Sequence, residues 1–337
     1  MQFEMGATLH TGDLSMEQLL QYGREAESLG YRGFWLTEES GKEAFATLAL
    51  LAQATSKIRL GTGIVNFYSR SPTLLAMAAT TIDRLSGGRF DLGIGTGGVG
   101  FMERGHGITI EKPLRRARET AEIVRGLLDG GSFSYEGQWF SPRDFHLREG
   151  GSGGRIPIYF SALNPKMVGQ AVRSADGFIS NWLTEESLAD LRGIIATEAE
   201  KAGKDPAKVK ILTLLMTCVD PRDDAAVKAM RRGLAFYFAS QHYHHIAEIS
   251  GFGAEAKQIK AVWERKDFDG ATAMVSDAMV EKFSLTGSPT ACRKKLRWLA
   301  DAGVYPIIYP LPRRASMLED HLATVRLAAQ YAQEEAP

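Results

Sequence analysis

Residues 58–98, IRLGTGIVNFYSRSPTLLAMAATTIDRLSGGRFDLGIGTGG, hold two short apolar runs that each end in glycines, joined by one amphipathic helical pattern. The spacing reads as a β-α-β unit. Glycines at both strand ends leave the backbone open to close approach by a flat ligand. In parallel α/β proteins the C-terminal strand ends are where ligands and chemistry gather.

The same alternation runs outward in both directions. Strands are expected at 3–9, 32–37, 57–64, 89–95, 156–160, 177–181, 209–218 and 304–309, with helices at 16–29, 45–55, 74–85 and 115–128 between the first of them. Local punctuation agrees with these bounds. Ser15 and Gln18 form a capping-box pair, Gly30 suits a helix stop, and Ser288-Pro289 suits an N-cap and first helical position. Eight strands alternating with helices and no interior linker predict a (β/α)8 TIM barrel, read as one domain over 1–337. A doubly wound open sheet is the competing fold. Two segments depart from the rhythm. Residues 130–154, GGSFSYEGQWFSPRDFHLREGGSGG, predict a small hairpin and loop, and 221–287 a helical insertion after the seventh strand. An insertion there leaves from the catalytic rim, so it builds a lid or substrate pocket, or else a dimer surface or simple padding.

Composition narrows the function classes. The chain has 337 residues, 44% hydrophobic and 24% charged, with 40 basic and 40 acidic side chains. That balance gives no global field to recruit nucleic acid or an anionic membrane. No apolar run reaches the roughly 18–20 residues of a membrane span, and QFEMGATL at 2–9 has no leader-like pattern. Two cysteines, Cys218 and Cys292, outside any CxxC pattern, fit a reducing compartment. The expectation is a cytoplasmic protein.

Gly93-Ile94-Gly95-Thr96-Gly97-Gly98 matches GxGxxG spacing, but it lies at a fourth strand and no helix clearly opens at its last glycine. It is either a bare strand end under something planar or a plain glycine-rich turn. Gly61-Thr62-Gly63 marks a bulge or close ligand approach. Glu38 and Glu39 close the second strand with side chains to opposite sides, as a buried acid/base or as solvated rim charges. Ser161-Ala162-Leu163-Asn164-Pro165 offers free N–H groups to an anion, or an ordinary Asn164 cap. His242 and His245 share a helical face without a third ligand at metal spacing, so no metal site is expected. GxSxG, Walker and HExxH patterns are absent from the sequence.

Taken together, AESLGYRGFWLTEE (26–39), TSKIRLGTGI (55–64), RSPTLLAMAATTIDRLSGGRFDLGIGTG (70–97), IPIYFSALNPKMVGQAVRSADGFISNW (156–182) and MVEKFSLTGSPTACRKKLRWLADAGV (279–304) resemble, in order and spacing, the luciferase-like superfamily of flavin and deazaflavin oxidoreductases. GIVNFYSRSP, the ALNP…ADGFI arrangement and DAMVEKFSLTGSP look like its deazaflavin branch, that of methylenetetrahydromethanopterin reductase. The resemblance implies coenzyme F420 across the barrel mouth, with FMN as the alternative, and a non-prolyl cis peptide at Gly63-Ile64. It implies that Glu38, Gly63, Ile64, Asn66, Gly95, Thr96 and Gly97 line the ring system. Ser161, Ala162, Leu163, Asn164 and Asn181 would flank the coenzyme's side chain and phosphate.

Two departures bear on chemistry. Where many relatives carry an acid followed by His at the second strand end, this chain has Glu38-Glu39, and the acid that often follows GxG is Gly98. Proton transfer then falls to Glu38, Glu39 or His244 of the insertion. A substrate is expected over the ring, under Phe67, Tyr68 and the inserted helices. The implied function is F420-dependent hydride transfer to or from a small organic substrate. The alternatives are an FMN-dependent monooxygenase and a non-catalytic coenzyme-binding barrel. A homodimer follows from the resemblance alone.

Overall fold

The computed structural model describes residues 4–10, 12, 14–219, 224–311 and 317–333. Ten strands run in chain order: β1 (Gly6–Leu9), β2 (Gly33–Leu36), β3 (Arg59–Thr62), β4 (Val65–Asn66), β5 (Phe90–Gly95), β6 (Ile158–Ser161), β7 (Gly177–Asn181), β8 (Lys210–Cys218), β9 (Leu285–Thr286) and β10 (Val304–Pro310). All pairings among them are parallel, in the order β10-β1-β2-β3-β5-β6-β7-β8. Pairing of β10 with β8, Val304 opposite Ile211 through Pro310 opposite Thr217, closes the ring. Eight strands therefore make a closed (β/α)8 barrel.

The helices form where local signals place them. Met16–Ser28 starts from a complete Ser15/Gln18 capping box, and Gly30 just past its end takes φ 85°. Ser71 caps Pro72–Ser86, which ends on Gly87 at φ 70°. Asn164 and Ser288 cap Pro165–Ser174 and Pro289–Asp301, each with proline in the first turn. The apolar faces of the outer helices and strands merge in one core around the barrel.

The lumen holds a separate cluster built on Trp35 with Tyr159, Ile179, Leu212 and Ile307. A Cβ on Gly61 would lie 2.4 Å from the Trp35 ring, and one on Gly6 or Gly33 would lie 2.9 Å from it. Gly61, expected to mark a bulge or the close approach of a ligand, makes room for this indole. The third strand, expected over 57–64 with a bulge or close ligand approach at its glycines, is β3 and is followed by the short β4. Gly63–Ile64 between them is a cis peptide, and β4 pairs on with β5 through Asn66 opposite Gly95. After β5 the chain makes a π-helical turn at Phe101–Gly105.

Two excursions complete the chain. Phe133 and Phe145 exchange backbone hydrogen bonds at 2.8 and 3.1 Å in a hairpin pinned by Glu119, whose carboxylate accepts from Gln138 N and Trp139 N. After β8, helices Asp224–Phe238, His244–Ile249, Gly253–Glu264, Phe268–Ala273 and Asp277–Phe283 pack on their own apolar cluster. The chain then returns through β9, which pairs with the rim end of β8. Among the described residues no helix is long and apolar enough to cross a membrane.

Candidate active site

The C-terminal ends of β2, β3–β4, β5, β6 and β7 are consecutive neighbours in the ring. They carry Glu38, then Gly63, Ile64 and Asn66, then Gly95, Thr96 and Gly97, then Ser161 to Asn164, then Asn181. The fold thus brings these residues into one continuous crescent, although they span more than 140 positions of sequence.

Within the crescent, Gly95 lies beneath Ile64. A Cβ there would come within 3.0 Å of Ile64 Cγ1 and Cδ1 and 2.9 Å of Ser161 Cβ. Gly97 takes φ 74°, a conformation that favours glycine, and Met102 Sδ lies 3.0 Å from where its Cβ would be. Gly98 is exposed, with open space around it. Asn66 is buried, and its Oδ1 accepts from Tyr68 N and Ser69 N at 3.1 and 2.8 Å. Its Nδ2 has no hydrogen-bond partner in the structure. Asn164 Oδ1 is taken by Met167 N at 3.0 Å, the ordinary helix cap.

Glu38 is tied on both oxygens. Arg70 Nη1 and Nη2 donate to its Oε2 and Oε1 at 2.6 and 2.7 Å, and Ala44 N donates to Oε1 at 3.1 Å. Arg70 Nη2 also reaches Glu43 Oε1 at 2.6 Å. Burial draws the Arg70 guanidinium down, but Glu38 and Glu43 outweigh it and hold it above its ordinary value. Glu38, expected to line the ring and one of three candidates for proton transfer, joins the loops after β2 and β4 through Arg70.

Glu39 points elsewhere. Its Oε2 accepts from His10 Nε2 at 2.9 Å, across from the end of β1. Its charge also reaches Tyr237 and Tyr243 of the insertion. Burial pushes the Tyr237 phenol up to about 12, and Tyr243 well above its usual range, so both remain neutral donors at physiological pH. Asn181 Nδ2 donates to Tyr243 Oη at 2.9 Å, while Asn181 Oδ1 has no partner.

His244 is not at this junction through its ring. Its Nε2 donates to the Phe238 carbonyl at 2.9 Å, which locks the turn between two inserted helices. Its neighbour Tyr243 is the residue that reaches the rim. Phe67, expected above the ring, is core at 1% exposure, and Tyr68 is sandwiched by the Arg116 guanidinium 4.7 Å from its ring centroid. Among the described residues no cluster could hold a metal ion.

Two site features escape sequence reasoning. His10 is a lone histidine whose partner lies 29 residues away. Trp182 is fully buried at φ 61°, a conformation rare for a bulky residue. Tyr237, Phe238, Tyr243 and Phe283 surround its ring at 4.8–5.5 Å, and its Nε1 donates to Met216 Sδ at 3.1 Å. Trp182 therefore anchors the insertion to the end of β7, directly beside Asn181.

Comparison with known proteins places this arrangement among relatives. The profile of the family described as luciferase-like monooxygenase matches residues 1–305. The 5,10-methylenetetrahydromethanopterin reductase of Archaeoglobus fulgidus is 33% identical over 306 residues, covering 89% of this chain and 91% of the reductase. The structure of the coenzyme F420-dependent tetrahydromethanopterin reductase from Methanopyrus kandleri superposes with a TM-score of 0.85 at 26% identity, over 98% of each chain. An F420-dependent secondary alcohol dehydrogenase in complex with an F420-acetone adduct matches with a TM-score of 0.79 over 99% of this chain and 100% of its own. At 18% identity that likeness speaks to the fold alone.

Proposed function

The chain belongs to the luciferase-like monooxygenase family, and we propose that within it the protein is an F420-dependent oxidoreductase. It would move a hydride between C5 of the deazaflavin and a small organic substrate. One observation carries this: the match, over 89% of the chain in sequence and 98% of it in fold, to reductases named for tetrahydromethanopterin, one of them also for coenzyme F420.

The residues present fit a flat, polar-edged ring. In the crescent Gly95 and Gly97 let Ile64, Ser161 and Met102 pack close to the backbone, and buried polar atoms without partners, Asn66 Nδ2 and Asn181 Oδ1, stand beside them. A ring with carbonyl and N–H edges satisfies such atoms, whose desolvation otherwise costs about 1–3 kcal/mol each. Ile64, Asn66 and Gly95–Gly97 would hold the ring system. Ser161 to Asn164 and the first turn of Pro165–Ser174 would take the phosphate-bearing side chain.

Bound coenzyme supplies the two-electron chemistry at C5. The chain's own part is to orient, to exclude water and to handle the proton. The Glu38–Arg70–Glu43 brace holds the loop that follows Ile64 and Asn66. The aromatic cage on Trp182 keeps the insertion closed over the opposite side of the mouth. Glu39, half exposed at the end of β2, is the carboxylate to which we assign giving or taking the proton on substrate.

We further read the chain as one domain that works in the cytoplasm as a homodimer. On Pro72–Ser86, Leu74, Met77 and Leu85 are exposed at helical spacing, beside exposed Leu50 of Ala44–Ala54. Such an apolar stripe suits a second copy.

The functional test is turnover. Protein with reduced F420 and 5,10-methylenetetrahydromethanopterin, or a panel of imines, enones and ketones, is expected to oxidise the coenzyme without consuming oxygen. Oxygen uptake with reduced FMN, and no hydride transfer from the deazaflavin, would instead establish a flavin monooxygenase.

A further inference from the structure

The ends of β1 and β2 are fastened together more firmly than strand pairing alone requires. The Thr8 hydroxyl donates to the Trp35 carbonyl at 2.6 Å, and the Thr37 hydroxyl to the Leu9 carbonyl at 3.2 Å. The Lys42 ammonium bridges from the loop after β2 to the Leu14 carbonyl in the loop after β1. Directly beyond these fastenings stand His10 and Glu39, with Nε2 and Oε2 2.9 Å apart. Gly12 packs against the imidazole, so that a Cβ there would lie 3.2 Å from Nδ1 and Cε1. The ring is seated, and the negative charge of the carboxylate it holds adds to the burial that raises Tyr237 and Tyr243.

We infer that His10 is the positioning residue of Glu39, and that the two form one acid–base dyad assembled from neighbouring strands. This rests on the oxidoreductase function proposed above. In the reducing direction the coenzyme would supply the hydride that forms a C–H bond at the substrate carbon. The protonated dyad, imidazolium against carboxylate, gives its Nε2 proton through Glu39 to the substrate nitrogen or oxygen as the C–N bond, or the C=N or C=O π bond, breaks. Glu39 is left as carboxylate beside a neutral imidazole whose remaining proton is on Nδ1, until a solvent proton returns to Nε2 and recharges the pair. The dyad supplies what Gly98 cannot, and the imidazole comes from β1 because position 39 carries the acid. Charged groups on the surrounding elements are already engaged: Glu38 by Arg70, and Lys42 by a backbone carbonyl. Tyr237 and Tyr243 are the remaining titratable neighbours.

The experiment follows the imidazole of His10 by NMR in ligand-free wild-type protein and in Glu39→Gln, and the Glu39 carboxyl in wild type and His10→Gln. A seated Nε2–H···Oε2 hydrogen bond is expected to give a downfield, exchange-protected imidazole N–H in wild type that is lost in Glu39→Gln, and a Glu39 carboxyl resonance that is displaced in His10→Gln. Spectra of each residue unchanged by loss of the other would overturn the dyad.

Alongside, F420 affinity and the pH profile of turnover on 5,10-methylenetetrahydromethanopterin are measured for the same proteins. His10→Gln is expected to keep coenzyme affinity, to lose roughly 10- to 100-fold in kcat, and to lose one limb of the profile. A wild-type profile in that variant would overturn the positioning role. Wild-type protein that binds no deazaflavin would overturn the functional proposal and the catalytic half of this one, while the NMR arm would still decide the pairing.

Discussion

Arg70→Met separates the two roles open to Glu38. In the native protein Glu38 is 9% exposed and Arg70 15%, joined by two charge-assisted hydrogen bonds at 2.6 and 2.7 Å. Methionine fills most of the arginine volume but leaves the carboxylate with only the Ala44 N–H. Removing one partner of a buried pair costs about 3–5 kcal/mol, because an uncompensated charge remains in the protein. Since both groups keep some solvent contact, about 3 kcal/mol is the figure to expect. Unfolding entropy is about 2 cal/mol/K per residue, or roughly 0.7 kcal/mol/K for 337 residues. The expected fall in Tm is then roughly 4 °C.

Glu38→Gln leaves Arg70 with Glu43 and should cost less. The double variant should be more stable than the sum of the singles predicts, because no orphan charge remains. Calorimetry or urea melts of all four proteins give the cycle. An Arg70→Met protein melting within a degree of wild type, or an additive cycle, would refute the brace. So would a Glu38→Gln protein of native stability that has lost all turnover.

Three further outcomes follow from other parts of the molecule. Gly95→Ala drives a Cβ into Ile64 and Ser161 and is expected to weaken deazaflavin binding at least tenfold, whereas Gly98→Ala, facing open space, leaves it unchanged; fluorescence titration of both variants checks the contrast. Burial pushes the Glu27 carboxyl up, but the N–H groups of Ser56, Lys57 and Ile58, with Arg89 beyond, outweigh it and hold its pKa below the usual carboxylate range. Such a group adds stability that is complete above its unfolded pKa of roughly 4.3 and is lost as pH falls through the lower folded value. Glu27→Gln should therefore cost about 1 kcal/mol in urea melts at pH 7 and almost nothing near pH 2; equal losses at both would contradict the sign. Light scattering should give twice 36.9 kDa for wild type and a monomer for Met77→Glu, and a monomeric wild type would refute the dimer.

Much of the barrel is legible in the sequence because its signals are local. A cap such as Ser15 or Ser288, a stop such as Gly30, and apolar periodicity each act within a few residues. What fails to read out depends on closure of the ring. Gly61 looks like a ligand's approach until β1, β2 and β3 enclose the Trp35 indole between them. Glu38 and Glu39 are adjacent acids in sequence. Only the fold gives one to Arg70 and the other to His10. His244 stands out in a histidine-rich stretch, yet the neighbouring tyrosine makes the contact to Asn181. The Trp182 anchor is silent in sequence, because its φ of 61° is imposed by the insertion packing around it.

Equilibrium titration of the purified protein with F420 and FMN side by side, followed by fluorescence and absorbance, tests the central claim most directly. Saturable, stoichiometric binding of F420, abolished or sharply weakened by Gly95→Ala, with FMN bound far more weakly, is the predicted result. Tight FMN binding with no measurable affinity for the deazaflavin would contradict it.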